Sequence, residues 1–110
     1  YSELVKKAVE YIRLNIDIPL TLHDIADSIH VNPSHLSRKF KQETGQNITD
    51  FINIKKVESA KLYLQIGQNT ITDVAFIVGF NDVNYFSRVF KKVTSLTPSQ
   101  YMKLHKSDKY

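Results

Sequence analysis

The sequence predicts an all-α fold, and three observations lead to this prediction. Apolar residues recur at helical spacing along most of the chain, with little of the alternation that strands show. Gly and Pro are rare, three of each, and stand where the apolar segments begin or end. Residues suited to helix N-caps directly precede two of the prolines, in Asn32-Pro33 and Thr97-Pro98. A length of 110 residues with 42% hydrophobic residues allows one domain, or two very small subdomains that share a core.

Three predicted helices occupy the first part of the chain. The first is amphipathic and covers residues 2 to about 15. Thr21 then has the position of an N-cap with Asp24 three residues later, which predicts an aspartate version of the capping box. Asn32-Pro33 begins a third helix, which stops at Gly45.

A longer helix is predicted from about Ile48 to Leu64. Its apolar positions cover more than one stripe, so we expect it to pack against neighbours on two sides and to connect two subdomains. Gly67 and Asn69 break it. The apolar positions of this helix are Ile48, Phe51, Ile52, Ile54, Val57, Ala60, Leu62 and Leu64.

The stretch from Asp73 to Tyr101 predicts a helix-turn-helix. A short apolar helix over Asp73 to Val78 is followed by Gly79, which can leave a helix with positive φ. Asn81 or Asp82 is placed to cap the next helix. The apolar residues of the short helix are Val74, Ile77 and Val78.

The second helix of this stretch has one apolar and one polar face. A basic, amide-bearing helix behind a glycine turn is what reading a DNA major groove requires. A last helix then begins at Thr97-Pro98 and runs through about Leu104. The apolar stripe of the second helix consists of Phe86, Val89, Phe90 and Val93. Its polar face, at i, i+3, i+4 and i+7, consists of Asn84, Ser87, Arg88 and Lys91.

Residues 21 to 52 recur as residues 70 to 102. The offset is 49 up to Asn32/Asn81 and 50 from Leu36/Phe86 onward, so the second copy carries one extra turn residue. Repeated core positions alone would indicate only a repeated fold. Polar outward positions recur as well, where packing does not require them, and this predicts two copies of one binding surface. These outward identities are Ser37/Ser87, Arg38/Arg88 and Lys41/Lys91.

The length of the connecting helix predicts the spacing of the two copies. A helix of roughly 17 residues at about 1.5 Å per residue spans roughly 25 Å. With helix packing added, the two second helices could lie about 34 Å apart, which is one turn of B-DNA. We therefore expect one chain to place two readers in successive major grooves on one face of a duplex.

Composition narrows the function classes. The 15 basic and 11 acidic residues give a net charge of +4 and a pI near 9.3, a balance that permits nucleic-acid binding. The chain has no cysteine, which excludes disulfides and thiolate metal sites and fits a reducing cytosol, so we expect a cytoplasmic protein. It has no signal peptide and no apolar run of membrane-spanning length, and we expect no membrane partner. Because it starts at Tyr1 rather than Met, we also expect it to be a fragment of a longer protein.

No pattern in the sequence predicts catalysis, a metal or a cofactor. The chain has no HExxH, nucleophile elbow, P-loop or dinucleotide fingerprint. Asp24 and Asp73 form a repeat pair that could suggest paired acid/base carboxylates, but their capping-box positions explain them better. We therefore expect a protein that is not an enzyme. The histidines, none at metal-ligand spacing, are His23, His30, His35 and His105.

The second repeat contains three motifs: Val78-Gly79-Phe80-Asn81-Asp82, Tyr85 to Lys92, and Thr97-Pro98 with Tyr101. With these motifs, and over residues 3 to 104, the chain resembles the C-terminal DNA-binding domain of the AraC/XylS family of bacterial transcription regulators. The first repeat and the connecting helix match as well.

This resemblance implies about seven helices in two helix-turn-helix subdomains joined by a linker helix. The implied boundaries are 1–46 for the first subdomain, 47–66 for the linker helix and 67–105 for the second subdomain, with a tail at 106–110. The resemblance also implies an effector or dimerisation domain outside this segment. Activators of the family touch RNA polymerase while bound to DNA, which makes polymerase a second implied partner.

Three residues depart from the family pattern. Lys56 stands where the linker helix usually has arginine, Met102 replaces an arginine after the tyrosine, and Ser95 replaces a common helix-ending glycine. The first two remove fork-shaped donors, which puts a phosphate contact or a buried ion pair there in doubt. None of the three touches the two recognition helices.

The candidate DNA contacts fall into two groups. Arg38 and Arg88 are the first choice, because a guanidinium can donate twice to guanine O6 and N7, although each could also be a solvated or salt-bridged surface arginine. Asn84 could bond adenine, and Val83 or the Tyr85 ring could touch a thymine methyl or instead pack against the turn. The base-contact candidates are Ser34, His35, Ser37, Arg38, Val83, Asn84, Tyr85, Ser87 and Arg88.

Phosphates are expected at lysines and at helix starts. Helical lysines are often only solvated, and the caps serve folding in any case, but backbone N–H groups at helix starts favour anions. The phosphate candidates are Thr21, Asn32, Lys39, Lys41, Thr70, Lys91 and Lys92.

Two hypotheses of function remain at this point. The first is sequence-specific binding of double-stranded DNA as the module of a bacterial transcription regulator, such as an activator. The second is a helical interaction module whose basic faces dock an acidic protein, for example a polymerase subunit. The duplicated Ser-Arg face favours DNA, because a protein partner gives no reason for two copies one DNA turn apart.

Overall fold

A computed structural model describes residues 1–106, and within them every regular element is an α-helix. The all-α fold with seven helices is therefore confirmed. The observed α4 and α7 each extend two residues beyond their predicted ends. Residues 107–110 of the predicted tail lie outside the described residues. The helices are α1 (Glu3–Leu14), α2 (Leu22–Ser28), α3 (Pro33–Thr44), α4 (Ile48–Ile66), α5 (Ile71–Ile77), α6 (Val83–Thr94) and α7 (Pro98–Lys106).

The chain forms two compact units, each with its own core. Unit 1 contains Tyr1–Ile16 and Leu20–Asn53, and unit 2 contains Asp17–Pro19 and the chain from Ile54 onward. The helix α4 thus gives its first residues to unit 1 and the rest to unit 2. The exact subdomain boundaries implied by the resemblance stay a prediction.

Four helices build the core of unit 1. An edge-on contact between the rings of Phe40 and Phe51, with centroids 5.2 Å apart, joins α3 to α4. Each fully buried large apolar side chain contributes about 1.5–3 kcal/mol to folding. The buried core residues are Val5, Ala8 and Ile12 of α1, Ile25 and Ala26 of α2, Leu36 and Phe40 of α3, and Ile48 and Ile52 of α4.

A series of aromatic rings runs through the core of unit 2. Phe80 lies 5.1 Å from Phe86, which lies 5.7 Å from Phe90, and Phe90 meets Tyr101 edge-on at 5.4 Å. The Tyr101 hydroxyl accepts a 2.7 Å hydrogen bond from the side-chain amide of Gln65 in α4. These rings join the Phe80 turn segment to α6, α7 and α4, and tilted or edge-on pairs of this kind add about 0.5–1.5 kcal/mol each.

Three residues of the predicted apolar stripes are exposed rather than buried. Leu62 lies on the side of α4 opposite Val57 and Leu64, so its exposure follows from the helical period. Ile77 is the last residue of the short helix α5, and Val93 is in the last turn of α6. Apolar spacing does not show where a helix extends beyond the core it packs against.

Lys56 of α4 is buried, with only 3% of its surface exposed. Its ammonium group donates to the carbonyl of Ile18 at 2.6 Å and lies 3.5 Å from that of Val78, at the end of α5. The cation therefore satisfies backbone carbonyls, including one at a helix C-terminus, where positive charge is favourable. Burial lowers the pKa of Lys56 from 10.5 to about 8, and the nearby Asp17 carboxylate opposes part of that shift.

We expect the stability of the protein to rise as pH increases from about 8 to about 10.5, by up to about 3 kcal/mol, because of Lys56. In that range the unfolded chain still holds the Lys56 proton, whereas the folded chain has released it, so raising the pH favours folding. The effect of Lys56 is read as the difference between the wild type and Lys56→Met, because any pH dependence common to both proteins then cancels.

Urea unfolding of the two proteins at about pH 7.5 and about pH 10 measures this difference. The exposed neighbour provides the control, Lys55→Met, which we expect to follow the wild type. Stability curves that stay parallel for wild type and Lys56→Met over this range would contradict the lowered pKa.

Candidate nucleic-acid interface

A tight turn joins α2 to α3 in unit 1. Ile29 ends the helix, and His30 takes a left-handed conformation with φ of 59°. The N–H of Val31 then donates back to the carbonyl of Ala26 at 3.0 Å, as in a Schellman motif. The turn thus satisfies an orphan carbonyl of α2 and sets the direction in which α3 begins.

The same turn joins α5 to α6 in unit 2. Gly79 takes the left-handed conformation with φ of 99°, and the N–H of Phe80 donates to the carbonyl of Ala75 at 2.9 Å. Residue by residue this turn matches that of unit 1 at the offset of 49 found in the sequence. The predicted helix-turn-helix is therefore present in both units.

Both recognition helices, α3 and α6, begin with a side-chain cap. The side-chain oxygen of Asn32 accepts the backbone N–H groups of Ser34 and His35 at 2.9 and 3.2 Å. In α6 the cap is Asp82 rather than Asn81, since a carboxylate oxygen of Asp82 accepts from the N–H groups of residues 84 and 85 at 2.7 and 3.1 Å. These caps fix the first turn of each helix, and the base-contact candidates lie in its first two turns.

The other predicted caps also hold their own helices. Thr21 and Asp24 form the complete capping box of α2, and Thr70 accepts from the N–H of Asp73 at the start of α5. The hydroxyls of Thr21 and Thr70, and the amide oxygen of Asn32, are therefore engaged in capping. Their contact with phosphate stays a prediction.

The two recognition helices end alike. The Thr44 hydroxyl lies 2.8 Å from the carbonyl of Phe40 and accepts the N–H of Gln46, and Thr94 does the same at the end of α6. Left-handed residues follow, Gly45 in unit 1 and Ser95 in unit 2. Ser95, which departs from the family glycine, thus adopts the conformation that the glycine would.

The structure places the polar candidates of α3 on one accessible side of unit 1. Ser34, His35, Arg38 and Lys41 are exposed, while Ser37 and Lys39 are partly buried. The ammonium of Lys39 is 3.8 Å from a carboxylate oxygen of Glu43, and pairs as exposed as this contribute little to stability. A hydrogen bond from the backbone N–H of Ser2 lowers the pKa of the Glu43 carboxyl, so Glu43 stays anionic there.

A cavity of about 550 Å³ opens between α2 and α3. It brings four predicted contact residues together with His23, which the sequence analysis did not predict as a contact. The sequence feature that marks His23 as a candidate contact is its place in the first turn of α2, next to the capping residue Asp24. A search for metal-ligand spacing does not reveal it. The cavity is lined by Leu22, His23, Asn32, Pro33, Ser34, Ser37 and Arg38.

The helix α6 presents a more strongly basic side. Its sequence contains Arg88, Lys91 and Lys92 and no acidic residue, and all three are exposed together with Asn84 and Tyr85. Ser87 is partly buried. Val83 is partly buried as well and packs against the unit 2 core, so the packing that was the alternative for Val83 is present.

Tyr85 and Arg88 lie against each other on this side of α6. The guanidinium carbon of Arg88 is 5.8 Å from the centroid of the Tyr85 ring, within the range of a cation–π contact. The Tyr85 ring also meets buried Phe80, with centroids 6.0 Å apart. Phe80 is buried in the core of unit 2, and Tyr85 packs against this turn residue while 37% of Tyr85 remains exposed.

Neither a metal cluster nor a membrane-spanning helix occurs in the part of the chain that the structure describes. Within residues 1–106 no three His, Asp or Glu side chains come together in a way that could hold a metal ion. None of the helices in that range is both long and apolar enough to cross a bilayer. The chemistry of the exposed faces of α3 and α6 is that of cations, hydroxyls and amides, which suits hydrogen bonding to an anionic, base-bearing partner.

Comparison with known proteins identifies similar sequences and structures along nearly the whole chain. A family model described as a helix-turn-helix domain matches residues 25–104. The bifunctional transcriptional activator/DNA repair enzyme AdaA of Bacillus subtilis is 36% identical over 107 residues, which cover 97% of this chain and 51% of AdaA. The chain therefore spans about half the length of this relative, and a smaller share of the Staphylococcus aureus regulators that it also matches.

Two of the solved structures that share the fold illustrate the similarity. The C-terminal domain of AraT, a response regulator from Geobacillus stearothermophilus, is 33% identical with a TM-score of 0.88, over 94% of this chain and 86% of that one. A transcriptional regulator of the AraC-type DNA-binding class from Chromobacterium violaceum is 25% identical with a TM-score of 0.78, over 93% and 91% of the two chains.

We expect His30→Gly to raise the free energy of unfolding by roughly 0.5–1 kcal/mol, because glycine reaches positive φ without the strain of a side chain. His30→Val should lower it by about 1–2 kcal/mol, because β-branched residues fit this conformation least well. Urea denaturation followed by circular dichroism measures both changes. A His30→Gly protein less stable than the wild type would contradict the strain assigned to this turn.

Proposed function

The chain belongs to the AraC family of helix-turn-helix transcription regulators, and from this premise we propose that it is the module with which a bacterial regulator binds specific double-stranded DNA. In this proposal α3 and α6 are the two recognition helices, and they enter successive major grooves of one duplex. We also propose that the module acts in the cytoplasm and has no catalytic role of its own.

The observation that carries the proposal is the duplication of a capped, exposed and basic recognition helix. Arg38 and Arg88 stand at equivalent positions of α3 and α6, behind the same turn and the same kind of cap. Both arginines are exposed, so neither is required for the packing of a core. Two copies of one cation-bearing helix suit a partner that repeats along its length, as duplex DNA does.

Specificity in this proposal comes from the first two turns of each recognition helix. Arg38 and Arg88 donate to guanine, and Asn84 bonds adenine through its amide. The remaining members of the set make hydrogen bonds or apolar contacts with base edges. The proposed base contacts are Ser34, His35, Ser37, Arg38, Val83, Asn84, Tyr85, Ser87 and Arg88.

Affinity comes from neutralised phosphates. Lys41, Lys91 and Lys92 are exposed near the C-terminal ends of the recognition helices, and Lys39 is within reach of solvent beside Glu43. The helix starts at Thr21, Asn32 and Thr70 complete the proposed set, because the positive end of a helix dipole favours anions. We add His23 to it, because it lines the same cavity as Arg38.

The longer protein supplies the remaining functions in this proposal. The relatives are longer than this chain, which supports an effector or dimerisation domain elsewhere in the regulator. RNA polymerase is a proposed partner of the DNA-bound regulator, as the family resemblance implies.

Selection of duplexes from a random pool tests the proposal, followed by titration of the winning duplex across salt. Two short enriched motifs about one helical turn apart are expected. The logarithm of the binding constant should fall with the logarithm of salt with a slope of roughly −4 if the four lysines each neutralise one phosphate. No enrichment over random DNA would favour instead a basic module that docks an acidic protein.

Arginine variants test the assignment of the readers. Arg38→Ala and Arg88→Ala should each weaken binding to the selected duplex by roughly 1–3 kcal/mol and relax base preference at one position, because each removes a bidentate contact. Fluorescence anisotropy with duplexes substituted at single base pairs measures both effects.

Arg13→Ala is the matched control. Besides Arg38 and Arg88 the sequence has one arginine, Arg13, which is exposed on α1 and paired with Glu10 at 2.6 Å. We expect its removal to leave base preference unchanged. If Arg88→Ala behaved like Arg13→Ala on both selected and random DNA, α6 would not be a reader.

A further inference from the structure

The Arg88 side chain is supported by the ring of another residue, Tyr85. The two residues are three apart on α6, so their side chains lie on the same side of the helix. The guanidinium carbon is 5.8 Å from the ring centroid, and guanidinium groups favour the face of an aromatic ring. A long, exposed arginine side chain is otherwise free to adopt many rotamers.

The ring under Arg88 is itself held in place. Phe80, which is 5% exposed, packs against Tyr85 at 6.0 Å and against Phe86 at 5.1 Å. Phe80 is also the turn residue whose N–H closes onto α5. The order of contacts therefore runs from the buried rings of unit 2 through Phe80 and Tyr85 to the guanidinium of Arg88.

Unit 1 has different residues at the matching positions. His35 stands where unit 2 has Tyr85, and Val31 stands where it has Phe80. Arg38, the counterpart of Arg88, lines the open cavity between α2 and α3. The support of Arg88 is thus built from Tyr85 and Phe80, two residues that the duplication does not repeat.

We propose that Tyr85 is a positioning residue that holds Arg88 in its DNA-reading conformation, so that unit 2 reads its base with a pre-organised arginine. This inference rests on the proposed DNA-binding function. In it, the main role of Tyr85 is to position Arg88 rather than to contact a base directly. Pre-organisation reduces the rotamer freedom that Arg88 loses on binding, which raises affinity and penalises bases that would need another arginine conformation.

The free protein provides the first test, by NMR of the arginine Nε–H groups without DNA. In Tyr85→Leu the Arg88 signal should lose its ring-current shift and move toward the position of an unstacked arginine. Tyr85→Phe should keep the shift, since the ring remains. An Arg88 signal unaffected by Tyr85→Leu would overturn the proposal.

Binding to the selected duplex provides the second test. Tyr85→Leu should weaken binding about two- to five-fold and relax preference at the same base pair as Arg88→Ala, while Tyr85→Phe restores both. In an Arg88→Ala background, Tyr85→Leu should cause no further loss, because its effect passes through Arg88. Equal losses in Tyr85→Phe and Tyr85→Leu would instead assign the hydroxyl a direct contact and overturn the positioning role.

Tyr63→Leu is the matched control for both tests. Tyr63 has the same 37% exposure as Tyr85 and belongs to unit 2, but lies on α4 rather than in the helix-turn-helix. We expect it to change neither the Arg88 signal nor base preference. If the wild-type protein itself selected no duplex, the proposed function would fail, while the NMR comparison would still decide whether Tyr85 holds Arg88.

Discussion

The constraint on which the rest of each unit depends is the turn between the two helices of its helix-turn-helix. One residue must adopt positive φ there, and the next must return its N–H to the preceding helix, as Phe80 does to Ala75 at 2.9 Å. That geometry sets the direction in which α3 or α6 begins. The exposed face of a recognition helix can contact a partner in a defined way only if the helix is held at a fixed angle to the rest of its unit. The backbone geometry of the turn therefore helps to define the interface.

The core then carries that geometry to the functional side chains. In unit 2, Phe80 belongs at once to the turn, to the buried rings and to the support of Tyr85. A substitution that disturbed Phe80 would therefore alter stability and the placement of Arg88 together. Lys56 makes a polar link in the same unit, because its buried ammonium bonds carbonyls of the 17–19 segment and of the end of α5.

Local signals made most of this fold predictable. The roles of cap residues such as Asn32 and Thr21, and of prolines at helix starts, depend only on the neighbouring backbone. These roles can therefore be predicted from the sequence. Contacts between distant residues were not predictable: the burial of Lys56 depends on Ile18, 38 residues away. The exposure of Val93 depends on where the core ends, which helical spacing does not encode. Likewise, Tyr85 had two open interpretations because one sequence position fits both groove contact and packing.

Comparing the two units shows which of their residues belong to the scaffold. The cap, the C-terminal threonine and the buried Phe40/Phe90 perform the same tasks in both, so they maintain the geometry. The paired arginines also recur. Other exposed positions of the two recognition helices carry different residue types: His35 corresponds to Tyr85, and Ser34 corresponds to Asn84. Packing allows this variation because the side chains are exposed. Two scaffolds with one geometry and different exposed residues would read two different base sequences, so on the proposed function the two halves of the DNA site are expected to be unlike, and the chain would bind its operator in one orientation only.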